Sequence, residues 1–240
     1  MYDDLFTKMN NIDKQVRNNL TQYKRIAFEY IPNSSQQNII DHDLQIAKER
    51  INRFPRFENT HFQIILFKDQ MIENGFPHTM YDSIMLPNQY YFSLTQKKRV
   101  ILLIHEFIHI YQRTHPFEFN HFLINTLGLK IDAFLYSYHY KSNKRLNPDL
   151  NNLLYDVAGS HSIMLYEQNA KSLSDCYVHT RASQKSTKKH LYESTVNKYK
   201  NSFNIQSEHP FETLACIFSH IIFGDVGETN NDELNKWLRR

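Results

Sequence analysis

A long apolar helix is predicted from Ser93 to Arg113, and its apolar surface has to be buried in a protein core. Ser93 and Gln96 form a capping box at its start. Aliphatic and aromatic residues cover nearly all of its surface, yet His105, Glu106 and His109 stand in its middle. Burying ionisable groups is costly unless they are paired or bound to something. The segment therefore requires both a core and a partner for these three side chains.

The spacing of the three ionisable residues predicts a zinc site. His105 and His109 lie one helical turn apart on one face, with Cβ atoms ~5–6 Å apart, so both imidazoles can reach one tetrahedral zinc. Glu106 lies about 100° round the helix, where it misses the metal but reaches a water bound to it. Zinc lowers the pKa of such a water towards ~7, and a glutamate can accept its proton. The alternative is a pair of core histidines hydrogen-bonded to their neighbours.

The sequence His105-Glu106-Phe107-Ile108-His109 resembles the signature of the zincin metallopeptidases. The resemblance covers residues 83–113, with a weaker match near residues 209–223. It implies an α+β, zincin-like fold with a small mixed or antiparallel sheet and mostly helices elsewhere. Prolines on either side, Pro77 and Pro87, favour an edge position for the short strand Ser83–Leu86, and an edge strand packed on the active-site helix also resembles zincins. In zincins such a strand aligns a peptide or protein substrate by β-augmentation.

A catalytic zinc needs a third protein ligand, and the resemblance to gluzincins points to Glu212. This residue begins a later helix, predicted to start at Pro210 and run through Phe223. Ala215 fits the gluzincin pattern, whereas Cys216 stands where an acidic residue is common. That acid often orients a ligand histidine, so another residue has to replace it here.

His115 is the alternative third ligand. It lies six residues after His109, which is the metzincin spacing, but Gln112 stands where that family has a glycine. The glycine lets the helix stop and turn sharply. Glu208 and Glu167 are further candidates.

Peptide hydrolysis also needs a donor to the developing oxyanion. Zincins commonly use Tyr or His for this role, and the candidates here are Tyr155, Tyr166 and His209. An ordinary half-buried tyrosine is the alternative for each tyrosine.

Asn147-Pro148-Asp149 is a usual turn sequence.

The chain is predicted to form a single catalytic unit over residues 1–240, because no repeat or linker is evident. Its three parts are the N-terminal helices (1–56), the sheet with the active-site helix (57–130), and a C-terminal part with the third-ligand helix (131–240). The C-terminal part is expected to contain a hairpin over residues 151–167. Residues 168–206 are expected to form a surface excursion with a helix near 187–199.

Charge, hydropathy and cysteine content narrow the partners and the compartment that we expect for this chain. The net charge is only +3, which makes nucleic acid an unlikely partner. No apolar run approaches the ~20 residues of a membrane span, and the N-terminus lacks a signal core. Cys176 and Cys216 are expected to be free thiols in a reducing, cytoplasmic setting. The sequence thus favours a zinc metallopeptidase, with a zincin-like binding or scaffold protein as the alternative.

Overall fold

The computed structural model describes residues 9–17, 30–68, 72–131, 142–150, 155–157, 160–182, 191–200, 203, 209–225 and 233–240. The helices are α1 (Asn11–Val16), α2 (Ser34–Ile51), α3 (Asn88–Ser93), α4 (Gln96–Thr114), α5 (Pro116–His121), α6 (Leu191–Lys200), α7 (Pro210–Phe223) and α8 (Glu233–Leu238). The strands are β1 (Gln63–Phe67), β2 (His78–Met80), β3 (Ser83–Pro87), β4 (Lys130–Ile131), β5 (Tyr155–Asp156), β6 (Ser160–Tyr166) and β7 (Cys176–Ala182). A π-helical turn, Phe122–Thr126, extends α5. The fold is therefore mixed α+β, as predicted.

Helix α4 is the centre of the molecule. Most residues in its middle and C-terminal half are buried, and it packs mainly against α7 and α2. It begins at Gln96, so the capping box predicted at Ser93 is wrong. The Ser93 hydroxyl instead donates to the carbonyl of Tyr90 (2.7 Å) within α3, and the Gln96 amide contacts the ring of His42 (2.9 Å). The helix ends before Pro116, because the residue preceding a proline is disfavoured in the helical conformation.

The sheet next to α4 has the strand order β1-β3-β2. Strand β3 pairs with β1 in parallel and with β2 in antiparallel orientation. The prediction that Ser83–Leu86 is an edge strand is therefore wrong, because β2 folds back onto β3 through the turn at Tyr81 and Asp82. Pro87 had suggested an edge position, but it lies beyond the residues that pair with β2. All five residues of β3 are buried, as a central strand requires.

The hairpin predicted over residues 151–167 is described only in part. A single antiparallel bridge joins Val157 to Ser160, and the strand that follows, β6, pairs along its length with β7. The β6–β7 connection is held by Asp175, whose carboxylate accepts the backbone N–H groups of Lys171 (2.8 Å) and Ser172 (2.9 Å). The predicted surface excursion thus contributes a strand, β7, and the helix α6. Residues 151–154 and 158–159 lie outside the described residues.

A buried ionic cluster joins the N-terminal segment to the rest of the chain. Arg17 pairs with Glu73 (2.6 Å) and with Asp13. Asp13 accepts the backbone N–H of Leu146 (3.0 Å), and Arg17 donates to the carbonyl of the same residue (2.7 Å). Both contacts fix the chain just before the Asn147–Asp149 turn. Among the described residues, no helix has the length and apolarity needed to cross a bilayer.

Candidate metal centre

His105, His109 and Glu212 meet at one point between two helices. Their candidate ligand atoms all lie within 4.8 Å of one another. The two Nε2 atoms are 3.1 Å apart, and Glu212 Oε2 lies 3.4 Å from each of them. Zinc ligands at ~2.0–2.1 Å from the ion in tetrahedral geometry stand ~3.3 Å apart. The three side chains therefore form one face of a tetrahedron of the size that zinc requires.

Each side chain is placed by its helix. His105 and His109 project from adjacent turns of α4, and Glu212 lies in the first turn of α7. Pro210 is the first residue of α7, where a missing N–H costs nothing. His209 caps the helix, because its Nδ1 accepts the backbone N–H of Phe211 (3.1 Å). Glu212 thereby emerges from a fixed helix start and faces α4.

The charged groups in and around the cluster shift the pKa values of Glu212 and His109. Burial alone would raise the pKa of Glu212, but His109, and then His105, hold it well below its usual range. Burial likewise opposes a charged His109, but the carboxylates of Glu212, Asp149 and Glu106 raise the pKa of this imidazole to about 9. The His105 side chain is 23% exposed, whereas that of His109 is 1% exposed. The group is thus accessible from the His105 side.

Glu106 lies beside this group without being part of it. It is buried, and burial, with the nearby charge of Asp149, raises its pKa well above its usual value. Its Oε2 has no hydrogen-bond partner within the described part of the chain. An unsatisfied buried oxygen costs stability, so this atom is available to a partner from outside the described part of the chain.

The turn Asn147-Pro148-Asp149 belongs to the site, which the sequence analysis did not foresee. Asn147 Oδ1 accepts the backbone N–H of Asp149 (2.9 Å), and this leaves its Nδ2 3.5 Å from Glu212 Oε1. The available signal was only that an Asx turn presents polar side chains in a fixed direction. Nothing in the sequence showed that they would face Glu212.

Asp149 and Arg113 close the exposed edge of β2. Asp149 Oδ1 accepts the backbone N–H of Thr79 (2.7 Å) and its hydroxyl (2.6 Å). Arg113 donates to the carbonyls of Tyr81 (2.9 Å) and Pro148 (3.0 Å). A peptide can add to this edge only if Asp149 is displaced, because the Thr79 N–H is already bonded.

Two of the alternative third ligands, His115 and Glu167, are described and are not part of the converging group. His115 stacks on the ring of Tyr111 at 4.3 Å between centroids, and its Nδ1 lies 2.9 Å from the Thr114 hydroxyl. Helix α4 continues to Thr114 without the sharp turn that a metzincin glycine provides. Glu167 is exposed, and Glu208 lies outside the described residues.

The predicted oxyanion donors have other partners. The Tyr155 hydroxyl donates to Asn120 Oδ1 (2.6 Å), and the Tyr166 hydroxyl donates to Asp13 Oδ1 (2.6 Å) in the buried ionic cluster. The ring of His209 packs against that of Tyr155 at 5.3 Å. Neither hydroxyl points its hydrogen at the three converging side chains.

The site therefore combines two imidazoles, one converging carboxylate and a second carboxylate, that of Glu106, whose Oε2 has no hydrogen-bond partner among the described residues. Comparisons with protein-family models, with curated proteins and with solved structures found no match for this chain.

Proposed function

We propose that the chain is a zinc-dependent hydrolase, a metallopeptidase of the gluzincin type within a zincin-like fold. His105, His109 and Glu212 hold Zn²⁺, and Glu106 is the general base. The observation that carries the proposal is the triangle of 3.1, 3.4 and 3.4 Å between the three candidate ligand atoms. Two histidines and one glutamate form a known ligand set of catalytic zinc.

Glu106 supports a catalytic rather than a purely structural metal. Zinc bound at this site would act as a Lewis acid and would lower the pKa of a water molecule bound to it. Glu106 takes up a proton at Oε2, the buried atom that has no other partner in the described chain. A structural site needs no such carboxylate beside its ligands.

The proposed substrate is a peptide or protein, on the basis of the His-Glu-x-x-His resemblance. Strand β3 is central, so it has no free edge to which a substrate strand could add as predicted. At the edge of β2, the Thr79 N–H already donates to Asp149. Substrate therefore approaches from the side of His105, the most exposed of the three ligands.

A zincin-like binding or scaffold protein is the second candidate. It is favoured by the burial of His109 and Glu106 and by the closed edge of β2. Such a protein would bind zinc but cleave no peptide. The two candidates thus differ in activity and agree on the metal.

Glu106→Gln tests the proposed role. An amide keeps the shape of the side chain but cannot take up a proton, so we expect one zinc per chain and a loss of at least ~100-fold in peptide hydrolysis. The assay measures zinc by elemental analysis and cleavage on a broad peptide library. Glu49→Gln, an exposed position on α2, is the control and should keep full activity. Full activity of Glu106→Gln would refute the general-base assignment, and a zinc-loaded wild type without any cleavage would favour the scaffold.

A further inference from the structure

We propose that Gln112 is a positioning residue of the metal centre, which sets the ring of His109 and at the same time fixes the helix that carries Glu212. The inference rests on the proposed function, because it concerns the same metal. Gln112 acts on two of the ligands and does not contact the metal itself.

The contacts of Gln112 form a bridge between the two ligand helices. Gln112 is 1% exposed and lies one turn after His109 on α4. Its Oε1 is 2.9 Å from His109 Nδ1, and its Nε2 donates to the carbonyl of Phe211 on α7 at 3.1 Å. Both ends of the amide are therefore bonded.

These two bonds determine which nitrogen of His109 carries hydrogen. A backbone carbonyl only accepts hydrogen bonds, so the NH₂ end of Gln112 has to face Phe211. The carbonyl end then faces Nδ1 of His109 and also only accepts. The Nδ1 atom must therefore carry the hydrogen, which leaves the Nε2 lone pair directed at His105 and Glu212. This is the orientation that a metal-binding imidazole needs.

The bond to Phe211 acts on the third ligand. Phe211 directly precedes Glu212 in the first turn of α7. A shift of this turn moves the Glu212 carboxylate relative to the two imidazoles on α4. One amide thus couples the direction of an imidazole to the position of the carboxylate.

A carboxylate at position 112 would perform only half of this role. It would accept from His109, but it would meet the Phe211 carbonyl without a hydrogen to donate. It would also add a buried negative charge near Glu106 and Glu212. The structure therefore accounts for glutamine, rather than an acid or a glycine, at this position.

Gln112→Met tests the bridge by removing both hydrogen bonds while keeping the length of the side chain. We expect Zn²⁺ to bind 10–100-fold more weakly, as measured by competition with a chromophoric chelator, because losses of this size follow removal of a hydrogen bond to a metal ligand. Gln96→Met is the matched control: Gln96 lies on the same helix and also contacts a histidine ring, that of His42, but it is exposed. It should bind zinc like the wild type. A Gln112→Met protein with an affinity within twofold of the wild type would overturn the inference and leave the proposed function intact.

A second measurement needs no variant. In ¹⁵N-histidine-labelled, zinc-loaded wild type, NMR should show His109 protonated at Nδ1 and bound to zinc through Nε2. Binding through Nδ1 would overturn the role of Gln112 even if the methionine variant failed to fold. A wild-type protein that takes up no Zn²⁺ would instead overturn the proposed function, and the inference with it.

Discussion

His109 is a candidate ligand surrounded by negative charge. It is buried, and the carboxylates of Glu212, Asp149 and Glu106 all favour its protonated form, so its pKa rises to about 9 without a metal. A zinc ligand has to be deprotonated. Protons and zinc therefore compete for the same imidazole.

This competition predicts proton release at neutral pH. Below pH 9 the metal-free His109 is a doubly protonated imidazolium, and zinc binding has to remove its Nε2 proton while the Nδ1–H stays bonded to Gln112, so the apparent affinity should rise with pH up to about 9. Calorimetry at pH 7 in buffers of different ionisation enthalpy should show about one proton released from His109 per zinc bound. His115→Ala should release the same number, because this histidine stands outside the group. An affinity that stays flat between pH 7 and pH 9 would contradict the assigned electrostatics.

The packing of α4 on α2 explains why Arg99 lies where its positive charge opposes the helix dipole. Lys97, Lys98 and Arg99 lie near the start of α4, where positive charge is unfavourable. In the structure Arg99 bonds to Asp43 on α2 at 2.5 Å, and the Tyr91 hydroxyl donates to the same carboxylate at 2.9 Å. Arg99 thus joins α4 to α2 through a fully buried acid.

Arg99→Met should therefore destabilise the protein. The substitution leaves Asp43 buried with only the Tyr91 hydrogen bond, and we expect the free energy of unfolding to fall by about 2–3 kcal/mol, somewhat less than for a fully buried pair. Urea denaturation measures this change. The neighbouring Lys98→Met, at an exposed position, should stay within about 0.5 kcal/mol of the wild type. Equal stability of the two variants would show that the Asp43–Arg99 pair does not hold the helices together.

The position of Pro210 predicted the start of α7, and the apolar run predicted α4 apart from its first residues. The strand order was not predictable in this way, since a buried strand has the same pattern whether one or both of its edges are paired. The histidine pair followed from local helical geometry. The contacts of Glu212 with Asn147, and of Phe211 with Gln112, join residues far apart in the sequence, and only the packing of α7 on α4 brings them together.

At the scale of the whole molecule, the proposed metal centre joins segments from most of the chain. Helices α4 and α7 supply the three candidate ligands, and the Asn147–Asp149 turn lies against Glu212 and β2. The N-terminal residues Asp13 and Arg17 fix Leu146 just before that turn. Binding at the centre should therefore stabilise the fold as a whole.

Metal removal should lower the melting temperature. Zinc at 100 times its Kd adds about 2.7 kcal/mol to a folded state that binds it, which corresponds to roughly 5–10 °C for a chain of this size. Thermal melts with and without a chelator measure the shift. Glu106→Gln should show the same shift as the wild type, and His109→Ala should show none. A wild-type melting temperature that is independent of zinc would argue against a specific site.

The most direct test is the zinc content of purified wild type, His115→Ala and Glu212→Ala. We predict one zinc per chain in the wild type and in His115→Ala, and a loss of tightly bound zinc in Glu212→Ala, because Glu212 is the described residue that completes the group of His105 and His109. Full zinc content in Glu212→Ala, or its loss in His115→Ala, would contradict the proposed centre.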